Sequence, residues 1–173
     1  MKPFIISHLV YIFLLIIGCG SQKQITPNAN RDELNTFTAS YLHVSESTYE
    51  EVKIEKGKLY FTFHKDIKPA DIKWENGNPL IDKTKINTKE SLFLKQDMDS
   101  LLNKINEYKF WGLADVIGNP NKGESYTIFK LSFKTISQSK TVIFNSIPGG
   151  ITMPVAFKKS RDELMKLARQ KTT

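Results

Sequence analysis

The sequence contains one run, Tyr49-Glu50-Glu51-Val52-Lys53-Ile54-Glu55-Lys56-Gly57-Lys58-Leu59-Tyr60-Phe61-Thr62-Phe63, in which two strand patterns flank a turn. Val52 and Ile54 alternate with charged residues before the turn, which is typical of a half-buried strand. Gly57 can adopt the positive φ that a tight turn requires. The residues after it are mostly aromatic or otherwise favour strands. We therefore predict a β-hairpin over residues 49–64.

Further strands are predicted on both sides of this hairpin. Before it, apolar or aromatic residues occupy every second position, namely Phe37, Ala39, Tyr41 and His43. This alternation predicts a first strand. After the hairpin, Ile72 and Trp74 alternate with lysines before the turn signal Asn76-Gly77, which predicts a short strand. A brief strand is also predicted at residues 91–94.

Two helices are predicted farther along the chain. The first follows Asp97, a suitable N-cap, and extends over about residues 97–108 because its apolar residues recur at the spacing of one helix face. They are Met98, Leu101, Leu102 and Ile105. The second begins at Pro154, since proline suits a first helical turn, and ends at about residue 170. Its apolar face is formed by Phe157, Leu164, Leu167 and Ala168.

A second hairpin is predicted between these helices. Phe129, Leu131 and Phe133 lie at alternate positions and face the core. A polar turn follows, and residues 141–144 form the returning strand. We therefore predict an α+β domain, in which an antiparallel sheet of about five to six strands with two hairpins is packed by two helices.

The N-terminal residues carry a different kind of signal. Lys2 supplies a positive charge, residues 4–17 form an apolar run, and Gly18 precedes the single cysteine, which is the layout of a secretory signal peptide. The ending Ile16-Ile17-Gly18-Cys19 resembles the lipobox of bacterial lipoproteins. The resemblance implies acylation of Cys19, palmitate included, and cleavage just before it.

This resemblance divides the chain into three parts. Residues 1–18 are the expected signal peptide, residues 19–35 the acylated cysteine with a flexible tether, and residues 36–173 one globular α+β domain. An uncleaved membrane anchor is the weaker alternative, because the apolar run is shorter than the ~20 residues that span a bilayer. A buried helix with an inert thiol is another. In Gram-negative lipoproteins an Asp directly after the cysteine commonly signals retention in the inner membrane, and this chain has Gly20 there. The resemblance is thus compatible with passage to the outer membrane, and we expect an outer-membrane protein that faces the periplasm.

Composition limits the possible functions. The formal net charge of +7 becomes +6 when Lys2 is removed with the signal peptide. A basic chain can favour anionic partners, but interleaved lysines and acids are also typical of an ordinary solvated surface. The single cysteine excludes an internal disulfide, dithiol redox chemistry and a multi-cysteine metal site. We expect no nucleic-acid partner, since a lipid-anchored domain seldom meets nucleic acid.

Few residues are candidates for chemistry. His43 and His64, the histidines beyond the signal peptide, are each interpreted as partly buried strand residues, because neither lies in a nucleophile or metal motif. His64 and Asp66 share a strand face, and Trp111 follows the first helix. These three residues are the weak candidates for a binding surface. We predict no catalytic residue, no metal and no cofactor, although carboxylate pairs that meet only in space stay possible.

The sequence therefore predicts a lipid-anchored envelope protein that acts as a non-enzymatic binding or structural module. Its expected partners are the membrane, through the acyl chains, and an envelope protein or polymer. The alternative is an envelope hydrolase, or an inhibitor or immunity-type protein, acting on glycans, peptides or a toxin. An inhibitor would present a loop such as 118–123 or 148–153 to its target.

Overall fold

The arrangement of the helices and strands determines where the candidate site lies. The computed structural model describes residues 27–45, 48–65, 72–75, 78–81, 87–118, 127–146 and 150–173. Its elements are α1 (Pro27–Thr36), β1 (Thr38–Val44), β2 (Thr48–Glu55), β3 (Lys58–Lys65), β4 (Ile72–Glu75), β5 (Asn78–Ile81), β6 (Asn87–Leu92), α2 (Lys95–Glu107), a 3-10 turn (Phe110–Gly112), β7 (Val116–Gly118), β8 (Thr127–Lys134), β9 (Ser139–Ser146) and α3 (Val155–Thr172).

Seven strands form one sheet in the order β6-β3-β2-β1-β8-β9-β7, and β4 and β5 form a separate two-stranded sheet. Every pairing in the large sheet is antiparallel except that of β7 with β9. Tyr41 of β1 lies opposite Val52 on one side and Leu131 on the other. Since side chains alternate between faces along a strand, this register collects the apolar positions on one face of the sheet.

The core lies between that face and the helices α2 and α3. The sheet contributes Tyr41, Val52, Leu59, Leu131 and Val142, all 2% exposed or less. The helices contribute Met98, Leu101, Ile105, Phe157, Leu164 and Ala168, and the 3-10 turn contributes Phe110. Each large apolar side chain that is fully buried contributes about 1.5–3 kcal/mol from its removal from water. Burial of this face therefore holds both helices on the sheet.

Polar contacts fix the position of α3 over the sheet. Lys171 forms an ion pair with Asp97 of α2 at 2.6 Å, and Tyr108 donates a hydrogen bond to Glu163 at 3.1 Å. Lys89 of the edge strand β6 donates to the carbonyl of Thr172 at 3.0 Å. Two of these contacts join α3 to α2 or to the residue that follows α2, and the third joins the C-terminal end of α3 to the sheet.

The α+β class with an antiparallel sheet is confirmed, and so are the two hairpins. The strand count of five to six was too low. The sequence missed β7, which has three residues, and most of β6, which is polar and exposed. The predicted strand before Asn76-Gly77 is present as β4 and pairs with β5. Gly57 has the predicted positive φ, at 71°.

Both predicted helices are present with shifted ends, and one more helix is described. The helix predicted over 97–108 spans Lys95–Glu107, and the one predicted over 154–170 spans Val155–Thr172. Asp97 was predicted to be the N-cap but lies three residues inside, where its carboxylate accepts a hydrogen bond from the Leu94 N–H at 2.8 Å. The predicted number of two helices was therefore also too low, since the described residues include a third helix, α1, before the sheet.

Helix α1 covers residues that the sequence assigned to the tether. Leu34 packs against the core, and the N–H of Phe37 donates to the carbonyl of Glu33 at 3.0 Å. Leu34 is too isolated to give a helical apolar pattern, so the sequence did not indicate this helix. Residues 1–26, including Cys19, lie outside the described residues. None of the helices in the described ranges has both the length and the apolar character required to cross a membrane.

Candidate functional site

One cleft, of about 530 Å³, opens between α3 and the end of the sheet. Its floor is formed by Tyr41 and His43 of β1, Glu50 of β2 and Phe129 of β8. Its wall on α3 is formed by Arg161, Asp162, Met165, Lys166 and Arg169. We call this feature the α3 cleft. Pockets of this size that bring a few polar groups together on an apolar frame are the usual places for ligands.

The register of the sheet brings the floor residues together. His43 lies directly opposite Glu50 on one neighbouring strand and opposite Phe129 on the other. All three point to the same face as the core residue Tyr41, because they share its position in the alternation. On β1 and β2 the core face therefore ends in an ionisable pair, with the apolar ring of Phe129 beside it on β8. On α3, residues three or four apart lie on one side of the helix, which aligns Arg161, Met165 and Arg169 over this pair.

His43 and Glu50 form a partly buried pair. Nδ1 of His43 lies 3.3 Å from Oε2 of Glu50, and the two side chains are 19% and 16% exposed. The imidazole stacks on the Phe129 ring, with centroids 4.5 Å apart and planes 15° from parallel. The hydrogen bond from His43 lowers the pKa of Glu50, with smaller contributions from the charges of His43, Arg169 and Arg161 and with burial acting in the opposite direction. Glu50 is therefore ionised at neutral pH.

The cations of α3 differ in how fully they are paired. Arg161 donates from Nε and Nη2 to Oδ1 of Asp162 at 2.8 and 2.6 Å, and from Nη1 to the Met153 sulfur at 3.4 Å. Nη2 of Arg169 is 3.7 Å from Oε1 of Glu50, which is close enough for an ion pair but too far for a direct hydrogen bond. Within the described ranges, Lys166 has no ion pair.

Tyr41 adds a neutral hydroxyl to the floor of the cleft. Burial raises the pKa of this phenol well above its ordinary value, and the neighbouring charge of Arg161 only partly opposes that effect. The residue is 2% exposed and belongs to the core. Tyr41 therefore stays protonated at physiological pH and cannot act as an ionised nucleophile there.

The α3 cleft is lined mainly by charged and polar side chains on an apolar frame. Among the described residues that line the α3 cleft there is no Ser, Thr or Cys side chain to serve as a nucleophile. A general acid for glycoside cleavage needs a carboxyl group with a raised pKa, whereas the pKa of Glu50 is lowered. The second carboxylate, Asp162, is neutralised by Arg161. What the cleft offers to a ligand is charge and hydrogen-bonding capacity.

Two of the three sequence-predicted binding candidates, His64 and Trp111, lie within the described residues. His64 lies opposite Tyr49 and points to the other face of the sheet from His43. Trp111 packs edge-on against Phe110 and Phe133, and its Nε1 donates to Oδ1 of Asn106 at 2.7 Å. Asp66 lies outside the described residues, as does Cys19.

Sequence reasoning missed the group that lines the cleft. His43 was interpreted as a strand residue, and Glu50 as one acid among surface lysines. The signal was nevertheless present, because Glu50 has the same parity as the core residues Val52 and Ile54. An ionisable residue on the buried side of a strand pattern requires a partner, since burial of an unpaired charge is costly. That requirement would have directed attention to His43.

A second depression, of about 370 Å³, lies between α1, α2 and the turn that joins β8 to β9. Its base is formed by Phe37, Met98 and Leu102, and Lys95 on its rim is paired with Glu33 at 2.9 Å. Its charged groups are thus already satisfied. Within the described ranges, no three His, Cys, Asp or Glu side chains are placed to hold a metal ion.

No protein-family model matches this chain, and no curated protein matches it with significant similarity.

Proposed function

We propose that the protein is a lipid-anchored binding module of the cell envelope, and that the α3 cleft is its binding site. The lipobox-like ending Ile16-Ile17-Gly18-Cys19 supports anchoring through acyl chains on Cys19. Two or more acyl chains bind a protein stably to a bilayer, whereas one chain does so only marginally. Gly20 supports a position on the outer membrane, facing the periplasm. The partner is an envelope protein or polymer.

One observation carries the binding role. The α3 cleft brings side chains from three strands and one helix, most of them polar, to a single concave site of about 530 Å³. Within the part of the chain that the structure describes, Lys166 and Arg169 have no direct hydrogen bond to a protein carboxylate. Cations with unused donors on a fixed frame can bind a ligand with little rearrangement, which lowers the cost of association.

An envelope hydrolase is the second candidate, and the His43–Glu50 pair is the observation that favours it. A carboxylate that holds an imidazole in place can prepare it to act as a general base on water. The lowered pKa of Glu50 suits that positioning role. A carboxylate with a lowered pKa is, however, a poor source of the proton that the leaving group needs. For this reason binding is the better supported of the two functions.

The binding role can be tested in intact cells with a photo-crosslinking amino acid at position 166, inside the cleft. The control carries it at position 134, because Lys134 is exposed at the far end of β8 from Phe129. We expect a specific adduct from position 166 that is absent from position 134. Identical adducts from both positions, or no adduct from position 166, would contradict the proposal. If the partner is recovered cleaved from cells with the wild-type protein but intact from cells with the His43→Ala variant, the result would favour the hydrolase.

A further inference from the structure

We propose that the α3 cleft recognises a carboxylate group, which Arg169 and Lys166 bind together. This inference rests on the proposed function, because it names the ligand chemistry of the same cleft. The carboxylate can belong to a sugar acid or to a peptide. Both present the same planar, singly charged group to the protein.

The charge of the cleft favours an anionic ligand. Arg161 and Asp162 neutralise each other through two hydrogen bonds. Lys166 and Arg169 then provide two positive charges, against the single carboxylate of Glu50. The ionised Glu50 lies beside Arg169, so like-charge repulsion disfavours a dianion such as a phosphate monoester more than a singly charged carboxylate.

The geometry of α3 places the two cations on the same side of the cleft. Lys166 and Arg169 are three residues apart on one helix, a spacing at which side chains are neighbours. Arg169 is 65% exposed, and its Nη2 is 3.7 Å from Glu50 Oε1, so its donors are free to turn towards a ligand. Glu50 does not need Arg169 as a hydrogen-bond donor, because its other oxygen, Oε2, is held by His43.

The choice of arginine also favours a carboxylate. The planar guanidinium group of Arg169 has parallel donors that match the two oxygens of a carboxylate, whereas an ammonium group acts as a point charge. Lys166 can then bind the same group from the side. The Met165 side chain and the stacked His43 and Phe129 rings give the rest of the ligand an apolar surface to contact.

The test is a titration of the full-length, membrane-extracted protein in detergent, followed by the NMR signals of its arginine and lysine side chains. The probes are glucuronate, glucose, N-acetylalanine, N-acetylalanine amide and inorganic phosphate. We expect at least one of the two acids to shift the signals of Arg169 and Lys166, and its neutral counterpart to leave them unchanged. Binding of glucuronate alone would identify a sugar acid as the source, and binding of N-acetylalanine alone would identify a peptide.

Variants then assign the contact to the two cations. Arg169→Gln is expected to weaken binding of the acid by about tenfold or more, as loss of a charged hydrogen-bonding partner does. Arg169→Lys keeps the charge but loses the paired donors, so an intermediate loss is expected. Lys134→Gln, on the exposed far end of β8, is the control and should leave affinity unchanged. Because the Arg169 side chain is exposed, its variants are expected to fold, so weaker binding by them would not result from unfolding.

Three outcomes would overturn the inference: neither acid binds, a neutral counterpart binds as well as its acid, or phosphate binds more tightly than both acids. Equal weakening by Lys134→Gln would do the same. The inference and the proposed function fail separately. An adduct from position 166 in cells without acid binding in the titration would refute the carboxylate and leave the binding role supported. Acid binding in the titration without an adduct in cells would support the carboxylate and contradict the proposed binding role.

Discussion

Replacement of Glu50 by glutamine tests whether the His43–Glu50 pair contributes to stability as an ionic interaction. The substitution keeps the shape of the side chain and removes its charge. Hydrogen bonds to charged groups contribute about 1.5–3 kcal/mol. The length of 3.3 Å places this bond at the weak end of that range, and burial of the carboxylate opposes it. Arg169 adds little, because ion pairs with such an exposed partner contribute at most about 1 kcal/mol.

We therefore expect Glu50→Gln to lower the free energy of unfolding by about 1 kcal/mol at neutral pH. The pKa of Glu50 in the folded protein lies below its ordinary value of 4.5. The ionised form thus stabilises the fold fully above that value, and this contribution disappears as the pH falls through the lower, folded pKa. The difference between the wild type and the variant should consequently shrink in acid.

Urea unfolding at about pH 7 and about pH 3 measures both differences. Glu55→Gln is the matched control, since Glu55 is on the same strand but forms an exposed pair with Lys53. It should change stability by less than about 0.5 kcal/mol. A Glu50→Gln variant as stable as the wild type at neutral pH, or a difference that persists in acid, would refute the ionic account. Combination with His43→Ala should show a coupling energy of about 0.5–1 kcal/mol.

Two other predictions concern packing and anchoring. Trp111→Ala should cost about 2–3 kcal/mol in urea unfolding, because the ring packs on Phe110 and Phe133 but is only partly buried, while Phe110→Ala should cost about 3–5 kcal/mol. A loss below about 1 kcal/mol for Trp111→Ala would instead make this ring a free surface for a partner. Cys19→Ser should abolish acylation and move the protein out of the detergent phase on phase separation; unchanged partitioning and processing would refute the anchor.

The hairpins could be predicted from sequence because their signals are local. At the first turn, Lys56 and Gly57 have φ values of 51° and 71°, and two consecutive positive values are what a tight two-residue hairpin requires. Gly57 indicated that turn, and the alternation on both sides indicated the strands. Likewise, the spacing from Met98 to Ile105 fixed the buried face of α2.

Elements whose place depends on distant partners could not be predicted in the same way. The strand β6 is polar and almost wholly exposed, so its residues show no alternation, and its pairing with β3 defines it. The three residues of β7 become a strand only by pairing with β9, in which Val116 lies opposite Ile143. Short strands of this kind carry too few residues for a periodic pattern.

The α3 cleft depends on three separate parts of the chain. His43 and Glu50 meet through strand register, and Phe129 joins them from β8, about eighty residues farther along the chain. Arg169 reaches them only because α3 crosses the same end of the sheet. Each residue alone has an ordinary surface or strand interpretation. Their convergence is a property of the topology, so sequence patterns indicated the core but not the site.

With the proposed anchor at Cys19, helix α1 would limit the distance between the domain and the membrane. Because the helix begins at Pro27, only residues 20–26 separate it from Cys19. Seven fully extended residues span at most about 25 Å, against roughly 50 Å for a tether that continued to residue 35. A domain joined to the proposed anchor by so short a tether would stay close to the bilayer surface. The proposed partners would therefore have to lie at or near the membrane that holds the anchor.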